Sequence, residues 1–291
     1  MEVPMLALDP RVFAPVWETV ESLLPPVIDR HPLGCHRPRV DARQCFFGIA
    51  ARLVTGSSWE TVGRLVGVSE STLLRRRNEW QRAGVFSQLV ELALSAYDQM
   101  IGLQLDEIAI DGSVHKAPMG GEGTGPSPVD RGKRGWKWSM ASDAAGIPIA
   151  WTPAAANTPD AQLVEDTLAI LDTRGFEVEI ETAHLDRGYD SVAIRDLFTE
   201  TGIDAHIVHR ARHVRGRKYG SRARNKIPLG RRWKIERANS WLSNFGQLRR
   251  NTDRLPIQRE AALDLAITFV ITVKLIKWRD RYGNTTFKPA Y

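Results

Sequence analysis

Cysteine is almost missing from this sequence: 291 residues hold two, Cys35 and Cys45. That scarcity excludes a disulfide-stapled scaffold, and without a C-x-x-C pair it also excludes a cysteine-built zinc site. The opening residues, Met1-Glu2-Val3-Pro4-Met5, lack the basic flank and apolar run of a secretory signal. The longest apolar stretch, residues 261–276, is interrupted by Asp264 and Lys274 and reads as too polar for a membrane span. No G-x-G-x-x-G follows a strand pattern, and the glycine-rich stretch 120–125 is not followed by Gly-Lys-Ser/Thr, so neither common nucleotide cradle is present. Internal repeats and low-complexity tracts are absent as well. What remains has ordinary globular proportions, 43% hydrophobic and 25% charged, with a length that suits about two domains. The expectation is a cytoplasmic protein with no membrane partner.

Charge is where the sequence departs from the ordinary. Formal net charge is only +6, from 40 Lys and Arg against 34 Asp and Glu. Between residues 210 and 254, however, fifteen basic side chains face two acids, Glu236 and Asp253, so the rest of the chain is net acidic. Such a segment needs a polyanion or a great deal of water around it. Arginine outnumbers lysine there, its planar fork matches phosphate oxygens, and every neutralised phosphate would release condensed counterions. The segment reads as a nucleic-acid surface; the competing reading is a solvated basic face.

Prolines break the first forty residues into short pieces. From 41 to 100 the pattern is helical. Ser57 and Glu60 have the spacing of a capping box that opens a helix through Val62, Leu65 and Val66. Gly67 ends it, Ser69 is placed to cap a second helix over 70–82, and Gly84 lies just past that helix. Two short helices joined by Gly67-Val68-Ser69 have the shape of a helix-turn-helix. Leu73, Leu74 and Trp80 would face inward, leaving Ser71, Thr72, Arg75, Arg76 and Glu79 outward, the chemistry of a groove-reading helix. Arg75 and Arg76 are its candidate DNA contacts, although a plain helical hairpin would share the pattern.

Beyond Gln104 the texture changes to a strand at 107–111 and a glycine- and proline-rich loop at 117–135. A hairpin follows over 136–151, then a helix at 160–172, a strand at 178–185, a helix at 191–201 and a strand at 203–208. Helices at 233–245 and 259–278 close the chain. This is a mixed α/β plan: a helical domain over 1–100 and an α/β domain over 101–291 that carries the basic segment. His206, His209 and His213 have metal-like spacing but no acid or cysteine completes a set, and Trp136 and Trp138 read as core. Trp241, in the same helix as Glu236, reads as packing on the sheet, with stacking on a flipped base as the alternative.

Three carboxylates stand out. Asp111 ends the first strand and Asp186 ends the strand at 178–185. If those strands are parallel neighbours, the two carboxylates emerge together and repel unless a cation lies between them. Oxygen ligands without His or Cys suit Mg²⁺, with Mn²⁺ as a substitute. Glu236, set among Arg232, Lys234 and Arg237, is the natural third acid, and three would hold two ions for phosphodiester chemistry. Spacing alone leaves the alternatives open: each aspartate could cap its own turn, and Glu236 could pair with Arg232.

The stretches Asp111-Gly112-Ser113, Gly120 through Lys133, and Asp186-Arg187-Gly188-Tyr189-Asp190-Ser191, with Arg231-Arg232-Trp233-Lys234-Ile235-Glu236-Arg237, Trp241-Leu242 and Leu248-Arg249-Arg250, resemble insertion-sequence transposases of the DDE class, in the insertion sequence five group. The resemblance implies a ribonuclease-H-like catalytic domain whose first and fourth strands are neighbours and whose last acid comes from a helix. Carried over, Asp111, Asp186 and Glu236 are the metal-binding catalytic triad, and Arg232 is the arginine four residues before the glutamate. Two positions depart from the family pattern: Leu229 stands for a tyrosine and Ser243 for a lysine, so Arg249 or Arg250 would supply phosphate contacts. The implied function is cleavage at an element's terminal inverted repeats and transfer of the freed 3′-hydroxyl to target DNA, by a homo-oligomer assembled on double-stranded DNA at the bacterial nucleoid. A metal-dependent nuclease of the same fold, or a DNA-binding regulator derived from a transposase, are the alternatives.

Overall fold

A computed structural model of the chain describes residues 3–27, 38–207 and 233–283. Cys35, His209, His213, Leu229, Arg232 and the basic run from 210 to 232 lie outside the described residues. In chain order, six helices come first: α1 (Val3–Leu6), α2 (Pro10–Leu23), α3 (Ala42–Thr55), α4 (Trp59–Val66), α5 (Glu70–Arg82) and α6 (Val85–Met100). Strands β1 (Glu107–Lys116), β2 (Gly125–Pro126), β3 (Arg134–Ser142) and β4 (Pro148–Ala155) follow, then α7 (Val164–Thr173), β5 (Thr182–Leu185), α8 (Val192–Thr201) and β6 (Asp204–Ile207). The chain ends in α9 (Trp233–Ser243), α10 (Gly246–Arg249) and α11 (Pro256–Tyr282).

These elements form two compact units. The first comprises Met1–Gly102, His115–Trp136 and Ser240–Tyr291. Its axis is α11, buried on every side from Ala261 through Ile271 and packed against α1, α2, α5 and α6. The apolar stretch seen in the sequence is therefore the centre of a helical core. No helix among the described residues is long and apolar enough to cross a membrane. Pro256 presets the backbone at the start of α11, so this helix begins three residues before the expected start at 259. The expected helix-turn-helix is present: Gly67 takes the left-handed conformation (φ 69°) and Ser69 caps α5 through the Thr72 amide. The capping residue of α4 differs from expectation by one position. Ser58, with extended backbone, accepts from the Thr61 amide at 3.1 Å, while Glu60 pairs with Arg64 one turn on instead of reaching back to the cap.

The second unit comprises Leu103–Val114 and Lys137–Asn239. Its sheet has the order β4-β3-β1-β5-β6, with the two-residue β2 paired to the start of β3. β1 and β5 are parallel, as are β5 and β6. With β2 set aside, the first strand neighbours the fourth, which is the ribonuclease-H-like arrangement. The β3–β4 turn is built by Asp143, whose Oδ1 accepts from the Ala145 and Ile147 amides at 2.9 and 2.7 Å and whose Oδ2 accepts from Gln104 at 3.1 Å. Burial pushes that carboxyl above its ordinary pKa, while the backbone bonds pull the other way. The strand expected over 178–185 is shorter. Gly175 turns left-handed (φ 73°), residues 177–179 form a 3-10 turn with Val178 at the surface, and pairing begins only where β1 supplies a partner at Glu107. β1 in turn runs on past Asp111 to Lys116.

Candidate active site

The register of β1 on β5 pairs Glu107 with Thr182 and continues to Ile110 with Leu185. Asp111 and Asp186 are the next residues on each strand, and Asp186 keeps an extended backbone (φ −73°, ψ 160°). Neighbouring strands lie about 4.8 Å apart, so the two residues follow adjacent, paired positions at the point where the strands diverge. Asp111 Oδ1 accepts from the Gly112 amide at 2.9 Å, and Asp186 Oδ1 from the Arg187 amide at 2.5 Å. The turn-capping role considered from sequence is thus real for both, and it engages one oxygen of each. Both residues are half-buried, where like charges so close are unfavourable without a cation. An all-oxygen pair at a strand end fits a hard divalent ion.

Glu236 comes from α9 in the same unit. Ile235 and Ala238 bury one side of that helix, and Glu236 is exposed. Three bonds fix α9 to the sheet: Lys234 donates to the Ala144 carbonyl, Arg237 donates to Ala145 at 3.0 Å, and the Trp138 indole donates to Asn239 at 2.8 Å within the core. Gly146, left-handed at φ 84°, allows this approach, since a Cβ there would lie 3.2 Å from the Lys234 carbonyl. Among the described residues no three His, Cys, Asp or Glu side chains are gathered at metal-ligand spacing. The structure therefore puts Asp111 and Asp186 at neighbouring strand ends and Glu236 on α9 of the same unit.

The expected DNA contacts are distributed unevenly. A cleft lined by Arg39, Ser69, Thr72, Arg75, Arg76 and Glu79 opens in front of α5. Arg75 is exposed, whereas Arg76 is largely covered and paired with Glu79 at 2.9 Å, a carboxylate that also takes Arg39. Lys234 and Arg237 are engaged in holding α9. Arg249 and Arg250 are exposed, with Arg250 bridged to Lys116 through the backbone. Sequence reading passed over Lys137, Asp160 and the need for glycine at 112; the visible signal was a lysine between two tryptophans in a strand that is otherwise buried.

Comparison with known proteins agrees with this geometry. Residues 103–271 match the family described as "Transposase DDE domain", and residues 14–90 match "Putative transposase of IS4/5 family". A curated relative from Burkholderia cepacia, "Putative transposase for insertion sequence element IS402", is 32% identical over 137 residues, covering 45% of this chain. The match spans 60% of that relative's length. A second, "Insertion element IS402 uncharacterized 16.2 kDa protein" from the same organism, is 32% identical over 114 residues, 39% of this chain and 78% of its own. Among solved structures, a piggyBac transposase synaptic complex with hairpin DNA is 12% identical, covering 94% of this chain and 75% of that one at a TM-score of 0.40, a likeness too loose to carry an argument. With one family spanning more than half of its length and the sheet order to match, the chain belongs to the DDE-domain transposases of the IS4/IS5 family.

Proposed function

We propose that the protein is a DNA transposase that binds the terminal inverted repeats of its own element, cleaves at the element ends and joins the freed 3′-hydroxyl to target DNA. Asp111, Asp186 and Glu236 are the catalytic carboxylates. The observation that carries this reading is the β1–β5 register, which sets Asp111 beside Asp186. The donor chemistry fits Mg²⁺, with Mn²⁺ able to substitute. When bound, the divalent ions supply Lewis acidity that activates the attacking oxygen and stabilises the leaving one. Asp111 and Asp186 hold that charge at the strand ends, and Glu236 completes the set from α9 and orients the attacking oxygen. In the helical domain of residues 1–100, α5 carries the DNA contacts, with Arg75 exposed and Arg76 beside it held by Glu79. Arg232, Lys234, Arg237, Arg249 and Arg250 are the further basic residues that contribute charge for phosphate contacts. Assembly on DNA as a homo-oligomer in the bacterial cytosol follows from the same reading. A labelled 3′-hydroxyl element end incubated with plasmid tests it: the wild-type chain joins the two, and Asp186→Ala abolishes joining while still binding end DNA. Joining retained in Asp186→Ala would remove this residue from the mechanism.

A further inference from the structure

Gly112 follows Asp111 in β1, and because successive strand positions point to opposite faces, the side it presents is the reverse of the side bearing the Asp111 carboxylate. That side is filled. A Cβ built on Gly112 would lie 2.1 Å from Asp160 Oδ1 and 2.9 Å from its Cγ, so the carboxylate of Asp160 occupies the place of a side chain. The same oxygen is ion-paired with the ammonium of Lys137 from the adjoining strand β3. Lys137 also donates to the Thr158 carbonyl at 3.1 Å. Its side chain is 4% exposed against 45% for Asp160, and an ammonium that deeply buried is tolerated only when paired. The 3-10 turn Asp160–Leu163 packs in addition against the turn Arg187–Tyr189, which directly follows Asp186. The ion pair therefore lies against the chain just after Asp111, and the turn that carries Asp160 packs against the turn that follows Asp186.

We propose that Lys137 and Asp160 are positioning residues for the Asp111–Asp186 pair. They form a wedge behind β1 that sets the separation of the two carboxylates, and through it the affinity of the site for a divalent ion. Neither residue need touch substrate: Asp160 abuts β1 from the face opposite the Asp111 carboxylate. Glycine is required at 112 because the wedge leaves no room for a Cβ. The inference rests on Asp111 and Asp186 being the ion's ligands.

Mn²⁺ titration of the full chain, read by loss of the free-ion EPR signal, tests this without DNA or turnover. Asp160→Asn and Lys137→Met are expected to raise the half-saturating Mn²⁺ concentration at least tenfold, and Lys137→Arg to restore it to within about twofold of wild type. A merely structural role would lower the thermal midpoint and leave the Mn²⁺ midpoint in place, and that result would overturn the proposal. Should Lys137→Met fail to fold, Asp160→Asn carries the test, because that side chain is half-exposed and the change nearly isosteric. Asp111→Ala is run in parallel. If it abolishes Mn²⁺ binding while Asp160→Asn binds as wild type, the wedge alone is refuted; if Asp111→Ala binds as wild type, the ligand assignment has failed and the wedge with it.

Discussion

Asp253 shows how much one side chain can carry. Its Oδ1 lies 3.1 Å from Arg77 and 3.7 Å from Arg52, and Oδ2 accepts from Gln247 at 2.6 Å. Both guanidiniums lie over the Trp59 ring, Arg52 at 4.5 Å and Arg77 at 5.3 Å from its centroid. All three charged side chains are buried, and burial pushes the pKa of Arg52 down against the pull of the carboxylate. In sequence Asp253 was only one of two acids in a basic run. Arg77 falls in the inward stripe of α5, four residues after Leu73 and three before Trp80, but its charge hid what the periodicity said. Asp253→Asn leaves two buried guanidiniums facing no carboxylate and is expected to cost about 3–5 kcal/mol in urea unfolding; a loss below about 1 kcal/mol would contradict the picture. His115, packed on Trp136 at 6.0 Å, offers a second test at this scale. Burial pushes its pKa down from 6.5 to about 3. The folded chain thus resists a proton that the unfolded chain accepts, so this contribution is complete above about pH 6.5 and is lost as pH falls toward 3. His115→Phe should flatten the pH dependence of unfolding free energy between pH 6.5 and 4 relative to wild type, and parallel curves would refute the assignment.

At the scale of elements, helix ends were mostly legible and strand ends were not. Gly67, Ser69 and Gly84 each perform the terminating or capping role their chemistry suggested. The start of α4 was misplaced by one residue because Ser57 and Ser58 have identical chemistry; what separates them is that the Ser57 carbonyl accepts from Arg52 at 2.5 Å. Ser58→Ala is therefore expected to cost about 1 kcal/mol in thermal or urea unfolding and Ser57→Ala close to nothing; the reverse order would restore the sequence-based cap. The glycine-rich loop had no readable purpose in sequence. Its reason lies across the chain: a Cβ on Gly121 (φ 109°) would lie 2.2 Å from the Arg254 carbonyl, and one on Gly123 (φ 67°) 3.2 Å from Pro256. Arg259, fully buried, ties the same loop down by donating to the carbonyls of Glu122 and Asp253. The contacts of this loop with Arg254, Pro256 and Arg259 join residues more than a hundred positions apart, and local pattern does not encode them.

At the scale of the whole molecule, the α/β plan was legible because each strand and helix keeps its own periodicity. The pairing of β1 with β5 was not, since residues 107–110 meet partners some 75 positions later; resemblance to the DDE class supplied it, and the register then set Asp111 beside Asp186. Helix α11 reads in sequence as one of two closing helices, whereas its central turns are buried all round. The pairing of Lys137 with Asp160 was not legible because partners on separate elements leave no periodic trace. The central claim is that the two strand-end aspartates hold a catalytic divalent ion, and a change of ligand softness tests it most directly. Asp186→Cys replaces a carboxylate by a thiolate, which binds Mg²⁺ poorly and Mn²⁺ far better. The account predicts end cleavage and joining abolished in Mg²⁺ and substantially restored in Mn²⁺ for this variant, with wild type active in both. Equal activity of Asp186→Cys in the two metals, or none of the restoration in Mn²⁺ with the variant folded, would contradict it.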